Sequence, residues 1–167
     1  LNFDSPGDRY SLETYKRHFG APYYSFSYGQ VHFVALDNIV WQDEGYKDSY
    51  NGWLTDEQLR WLENDLLFVD PEKLIVLSMH AGLTNYIDRD TFQHQDSNRE
   101  RVYEVLERGG FENVISLAGH SHTVERMRPG ERYNPGTVVN DEGEEEPSFG
   151  WGTVPFPQYV VGAVAGQ

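Results

Sequence analysis

Short apolar runs and alternating positions dominate the pattern of this chain. Residues 23–28 alternate aromatic and serine side chains, and residues 31–36 form an apolar run. Gly29 lies between the two runs, so the pattern predicts a β-hairpin with this glycine in its turn. Other apolar runs predict strands at residues 73–79, 114–118, 124–128 and 159–165.

The clearest helix begins at Thr55. Thr55 and Gln58 have the spacing of a capping box, and Asp70-Pro71 ends the helical pattern. A buried stripe at helical spacing contains Leu59, Leu62 and Leu66. This segment therefore predicts an amphipathic helix that covers one face of a sheet.

Two further helices are indicated by their ends. Ser97 is a suitable cap for a helix over residues 98–108, which Gly109-Gly110 terminates. Ser11 similarly begins a short helix that reaches Phe19 and stops at Gly20. The middle of the chain thus reads hairpin, helix, strand, helix, strand, which predicts an α/β fold with mixed sheets flanked by helices.

Three longer segments carry little regular pattern. Residues 39–54 form an aromatic and acidic loop, typical either of aromatic packing against the sheet or of a carbohydrate-binding surface. Residues 81–96 form a polar loop, and residues 129–167 combine irregular chain and an acidic run at 141–146 with the last strand. The acidic run has no EF-hand spacing and is typical of a solvated loop. No repeat is present, and we expect a single domain over residues 1–167.

Composition narrows the classes of partner. The 167 residues suffice for one core, and the formal net charge of −14 disfavours binding to a nucleic-acid backbone. The chain contains no cysteine, which excludes disulfides and thiolate chemistry. No apolar run reaches the length of a membrane span, and localisation is left open. Since the chain begins with Leu1 rather than Met, we expect it to be a fragment of a longer protein.

Three histidines lie directly after predicted strands. His80 follows the strand at 73–79, and His120 and His122 follow the strand at 114–118. If these strands are neighbours, their ends bring the three imidazoles to one edge of the sheet, and imidazole is a ligand for Zn, Fe and Mn. The spacing of His120 and His122 permits both to bind one metal or each to bind a different one. The sequence thus predicts a metal site.

These residues resemble the calcineurin-like metallophosphoesterases. Gly119-His120-Ser121-His122 is similar to the last signature of that family, and Met79-His80 is similar to its single-histidine signature. The hairpin segment YYSFSYGQVHFVALDN and the helix LTDEQLRWLENDL also resemble the elements that precede these signatures. The resemblance covers roughly residues 10–123, and it implies the C-terminal part of an α/β/β/α sandwich.

The resemblance implies a hydrolase that cleaves phosphate mono- or diesters with a hydroxide held by two metal ions (Mn, Fe or Zn). His80 and His120 would bind one metal and His122 the other. The earlier signatures of the family, Asp-x-His, Gly-Asp-x-x-Asp and Gly-Asn-His-Asp/Glu, do not occur in the chain. Beyond the metal ligands, the resemblance therefore implies no catalytic residue in this chain.

With these ligands lacking, we expect the isolated chain to bind metal poorly, or not at all, and to show little or no phosphatase activity. Strands normally covered on both faces would be exposed, which favours a homo-oligomer. Two other interpretations stay open. One is a non-catalytic binding or scaffold module with the same fold, and the other is an enzyme with a single metal bound by the three histidines. Substrate identity cannot be read from the sequence.

Overall fold

The computed structural model describes residue 10 and residues 12–41, 50–84, 99–133, 137–139, 145–147 and 152–162. The described helices are α1 (Glu13–Phe19), α2 (Asp56–Leu66) and α3 (Arg99–Arg108). The described strands are β1 (Tyr24–Tyr28), β2 (Val31–Ala35), β3 (Ile39–Trp41), β4 (Tyr50–Gly52), β5 (Leu74–Ser78), β6 (Val114–Ala118), β7 (Glu125–Met127), β8 (Arg132–Tyr133), β9 (Thr137–Val139), β10 (Glu145–Pro147), β11 (Gly152–Thr153) and β12 (Gln158–Val160).

A six-stranded mixed sheet organises the fold, with the strand order β1-β2-β5-β6-β12-β7. The outer strands β1 and β7 are antiparallel to their neighbours, whereas β2, β5, β6 and β12 run parallel. The predicted hairpin is confirmed, and Gly29 has a φ of 56°, which a glycine adopts readily. Since β5 and β6 are parallel neighbours, the strands that precede His80 and His120 lie side by side, as expected.

Helices α2 and α3 pack on one face of this sheet. Their inward side chains join the strand residues in one hydrophobic cluster, which includes Leu59, Leu62, Leu66, Val102, Val105 and Leu106 from the helices and Val34, Ile75, Leu77, Val114 and Ala118 from the strands. This arrangement confirms the predicted α/β class and the apolar stripe of α2. No helix in the described part of the chain is long and apolar enough to cross a membrane.

The opposite face of the sheet is aromatic. Tyr24, Phe26 and Tyr28 of β1 are 44%, 52% and 80% exposed, and the Phe26 ring stacks on Phe33 of β2 at 5.0 Å. Leu117 of β6 is also exposed. Such a row of exposed apolar side chains is typical of a surface that another element covers.

The helix ends are formed largely as the sequence predicts. Thr55 Oγ1 accepts a hydrogen bond from the Gln58 backbone N–H at 3.2 Å, so Thr55 is the N-cap of α2. The side chain of Gln58 departs from the reciprocal capping pattern, because it binds the backbone of Asp37. At the end of α3, Gly110 has a φ of 74° and the Phe111 N–H donates to the Leu106 carbonyl, which is a Schellman motif.

Residues beyond 129 contain more regular structure than the sequence pattern indicates. β8 pairs with β11, β9 pairs with β10, and β12 enters the main sheet between β6 and β7. The loop predicted over residues 39–54 likewise contains the β3–β4 pair at its two ends. Ladders of two or three residues are too short to produce a periodic pattern.

Some predicted features lie outside the described residues. They are the centre of the 39–54 loop (42–49), the caps Ser11 and Ser97, residues 141–144 of the acidic run and most of the 81–96 loop.

Candidate metal centre

His80 and His120 follow the carboxyl ends of β5 and β6, where the two strands are still paired. The Met79 N–H donates to the Leu117 carbonyl at 3.1 Å, and the Gly119 N–H donates to the His80 carbonyl at 3.0 Å. This pairing carries the parallel register past the end of both strands. The two imidazoles therefore leave adjacent backbone positions at one edge of the sheet.

The two rings converge. His80 Nε2 lies 2.8 Å from His120 Nδ1, with ring centroids 4.7 Å apart and ring planes at 65°. One nitrogen donates to the other in this hydrogen bond, so the two nitrogens face each other across the same space. Two nitrogens bound to one metal at about 2.0–2.1 Å each are separated by about 3 Å. The observed spacing therefore fits a pair of ligands to one ion after a small separation of the rings.

The loop after β6 has an unusual backbone. His120 and His122 have φ values of 70° and 56°, and they are the non-glycine residues with positive φ in the described part of the chain. The Ser121 N–H donates to the Gly119 carbonyl at 2.9 Å, which closes a tight three-residue turn around His120. Left-handed backbone at a non-glycine residue costs free energy and persists where the surrounding structure demands it.

A polar network of Ser121, Thr123 and Glu125 holds this loop in place. Thr123 Oγ1 donates to Glu125 Oε1 at 2.6 Å, and Ser121 Oγ donates to the same oxygen at 3.2 Å. The carboxylate of Glu125 belongs to β7 and is buried. Ser121, Thr123 and Glu125 are two residues apart in sequence and alternate with His120 and His122. Their hydrogen bonds fix the side of the loop that does not carry the imidazoles.

His122 stands apart from the other two histidines. Among the described residues, no three His, Asp or Glu side chains lie close enough together to form a metal-binding group. His122 is nevertheless near enough to act on His80: burial, with a smaller contribution from the charge of His122, lowers the pKa of His80. A lowered pKa favours the neutral imidazole, which is the form that binds metal.

Asn38 is a further residue at this edge, and the sequence pattern did not identify it as a site residue. Its buried side-chain Oδ1 accepts from the backbone N–H groups of His80 and Ala81 at 3.1 Å each. Its Nδ2 donates to the Ala81 carbonyl at 2.7 Å. An amide side chain close after an apolar strand is the signal that could have identified it, because an amide that becomes buried requires hydrogen-bond partners.

The remaining histidines have other surroundings. The ring of His32 is buried between Asp65 of α2, 2.8 Å from Nε2, and Ser27 of β1, 2.9 Å from Nδ1. Because the Asp65 carboxylate accepts from Nε2–H, Nδ1 accepts from the Ser27 hydroxyl. His32 therefore links the hairpin to α2. His18 is on the exposed helix α1, and His94 lies outside the described residues.

Comparison with known proteins identifies relatives that are phosphoesterases. A probable glycerophosphodiester phosphodiesterase GpdQ from Arcobacter nitrofigilis is 29% identical over 123 residues, which are 71% of this chain and 44% of that protein. Purple acid phosphatase 23 of Arabidopsis thaliana is 35% identical over 107 residues, 63% of this chain and 20% of that protein. These matches support the assignment of the chain to a partial calcineurin-like metallophosphoesterase domain.

Solved structures agree on the fold. PhoD superposes with a TM-score of 0.58 and 18% identity over 91% of this chain and 33% of its own. The purple acid phosphatase PPD1 from yellow lupin (Lupinus luteus) superposes with a TM-score of 0.50 and 20% identity, covering 84% of this chain and 22% of that structure. No family model matches the chain. The chain spans less than half the length of the bacterial phosphodiesterase and of the Arabidopsis phosphatase.

Proposed function

We propose that the protein containing this chain is a metal-dependent phosphoesterase that hydrolyses phosphate mono- or diesters. The convergence of His80 and His120 at adjacent strand ends carries this proposal, because two imidazole nitrogens 2.8 Å apart fit one ion of the Zn, Fe or Mn class. The phosphoesterases among the relatives support it independently.

Within this proposal, each histidine has a defined task. His80 and His120 would hold one ion, and His122 would bind a second. When bound, two such ions would supply an activated water and neutralise charge on the phosphoryl oxygens. The chain contributes the imidazoles, and the hydrogen bonds of Ser121 and Thr123 to Glu125 hold the loop that carries two of them.

The other metal ligands would come from residues outside this chain. The carboxylate signatures of the resembled family do not occur in it, and it spans 44% of the length of the phosphodiesterase relative.

We expect the isolated chain to release phosphate from p-nitrophenyl phosphate no faster than buffer, and the full-length protein to hydrolyse it with about two metal ions per domain. Metal analysis and a colorimetric assay on both proteins test this. Turnover by the isolated chain that His120→Ala abolishes would contradict the need for outside ligands, while no turnover by the full-length protein on mono- or diesters would favour a binding module.

We further propose that the isolated chain self-associates through the aromatic face of the sheet. The exposed rings of Tyr24, Phe26 and Tyr28 support this, since burying them between two copies removes apolar surface from water. Sedimentation velocity at increasing concentration should show dimers or larger species, which Phe26→Ser combined with Tyr28→Ser reduces. Phe68→Ser is the matched control, because Phe68 is 91% exposed in the turn after α2. A monomer at every concentration would exclude this contact.

A further inference from the structure

We propose that Asn38 is a positioning residue for the metal ligand His80, an inference that rests on the proposed function. Asn38 follows β2, which is parallel to β5 and adjacent to it. The pairing continues one residue beyond β2, because the Leu36 N–H donates to the carbonyl of Ser78, the last residue of β5, at 2.8 Å. The amide of Asn38 is thereby placed beside the backbone on which the His80 ring is mounted.

The hydrogen bonds of Asn38 leave this backbone little freedom. The same Oδ1 accepts from two consecutive N–H groups, those of His80 and Ala81, and Nδ2 returns a bond to the Ala81 carbonyl. The His80 N–H and the Ala81 N–H belong to the two peptide planes on either side of the His80 Cα, so the two bonds to Oδ1 restrain both planes. The direction in which the Cα–Cβ bond of His80 leaves the chain follows from these two planes. Asn38 is fully buried, so water does not replace these bonds.

Asn38 is itself held rigidly. Gln58, at the start of α2, binds both backbone groups of Asp37: its Oε1 accepts from the Asp37 N–H and its Nε2 donates to the Asp37 carbonyl, at 2.8 Å each. On the other side, the Trp53 N–H donates to the Asn38 carbonyl at 2.9 Å. The position of His80 is therefore connected to the N-terminus of α2 through Gln58, Asp37 and Asn38.

The chain after His80 is fixed by different partners. The Leu83 carbonyl accepts from Arg99 of α3 at 3.3 Å, and Gln158 Oε1 accepts from the backbone N–H and the hydroxyl of Thr84 at 3.1 and 2.8 Å. These contacts hold residues 83 and 84, whereas Asn38 holds residues 80 and 81 together with the bond from the Gly119 N–H to the His80 carbonyl. Loss of the Asn38 amide should accordingly loosen His80 while the rest of the segment stays in place.

The test uses the full-length protein and Zn²⁺ alone, with affinity measured by competition against a chromophoric chelator. Partners that orient a metal ligand typically contribute about 10–100-fold to metal affinity, and we expect Asn38→Ala to weaken Zn²⁺ binding by that factor. Hydrogen exchange in the metal-free protein should show faster exchange at the His80 and Ala81 amides. Asn113→Ala is the matched control, because its side chain also donates to a backbone carbonyl, that of Glu72, at an exposed position.

The variants separate this inference from the proposed function. Leu62→Ala, a core change in α2, lowers stability without touching His80, so wild-type affinity in this variant shows that lost stability alone does not weaken binding. Loss of affinity in His80→Ala with wild-type affinity in Asn38→Ala would overturn the positioning role alone. Wild-type affinity in His80→Ala would overturn the proposed site and this inference with it. If Asn38→Ala does not fold, Asn38→Asp decides, because it keeps an acceptor oxygen for the His80 and Ala81 amides and loses the donor to the Ala81 carbonyl. Amide protection and Zn²⁺ affinity that are retained together, or lost together, support the inference, whereas protection without affinity contradicts it.

Discussion

Replacing His120 with alanine in the full-length protein should reduce phosphoester hydrolysis by more than about 100-fold. Partners that only orient a ligand already contribute about 10–100-fold, and His120 supplies the nitrogen itself. Its Nδ1 lies 2.8 Å from Nε2 of His80, so one substitution removes half of the convergent pair. His80→Ala should have an effect of the same order, and both variants should contain less metal after dialysis.

His122→Ala tests whether the site binds a second metal ion. If His122 binds a second ion, this variant should retain about one metal ion per domain and lose most of the hydrolytic rate, because two-metal hydrolysis needs both ions. Metal content is measured by atomic emission and the rate by release of p-nitrophenol. Retention of two ions together with a wild-type rate would remove His122 from the site.

Two other histidines serve as matched controls. His18→Ala changes an exposed residue of α1 and should leave rate and metal content unchanged. His32→Ala removes a buried ring that accepts from Ser27 and donates to Asp65, so it should lower the free energy of unfolding by about 1–3 kcal/mol. Its metal content should match that of the wild type. Loss of metal from either control would show that the assay reports general damage to the fold rather than ligand loss.

Glycine at position 120 or 122 should stabilise the metal-free protein relative to alanine at the same position. Both residues have positive φ, at 70° and 56°, and left-handed backbone costs a residue with a Cβ roughly 1–2 kcal/mol. Both substitutions remove the imidazole, so their comparison isolates the backbone. We expect His120→Gly and His122→Gly to exceed the corresponding alanine variants by about 1 kcal/mol in the free energy of unfolding, measured by urea denaturation of the full-length protein without metal.

The same comparison in a regular helix should give the opposite sign. His18 lies within α1, where glycine is less favourable than alanine by roughly 0.5–1 kcal/mol. Equal or greater stability of the alanine variants at 120 and 122 would show that the turn does not store strain. The expected result would mean that the loop holds its two histidines at a cost to stability, as functional sites often do.

Much of the fold follows from local pattern. The alternation before Gly29 and the apolar run after it predict the hairpin, and Thr55 with the stripe of leucines predicts α2 nearly to its ends. Such elements depend on neighbouring residues, so a short window of sequence contains the information. The short ladders after residue 129 are not predicted for the opposite reason, because two or three paired residues produce no period and depend on distant partners.

The candidate site divides in the same way. The sequence places His80, His120 and His122 directly after strands, and the resemblance of Gly119-His120-Ser121-His122 to a family signature predicts the chemistry. The parallel pairing of β5 and β6 then decides which imidazoles meet. That pairing brings His80 to His120 across 40 residues of sequence, whereas no group of three His, Asp or Glu side chains forms among the described residues.

The α/β class, the principal helices and strands and the candidate metal ligands follow from the sequence, because these depend on residue type and local spacing. The support of the candidate site depends on the tertiary structure. The amide of Asn38 reaches His80 because β2 lies beside β5, and the rings of His80 and His120 meet because β5 pairs with β6. Buried polar groups find their partners through the packing of whole elements, and no local pattern specifies those partners.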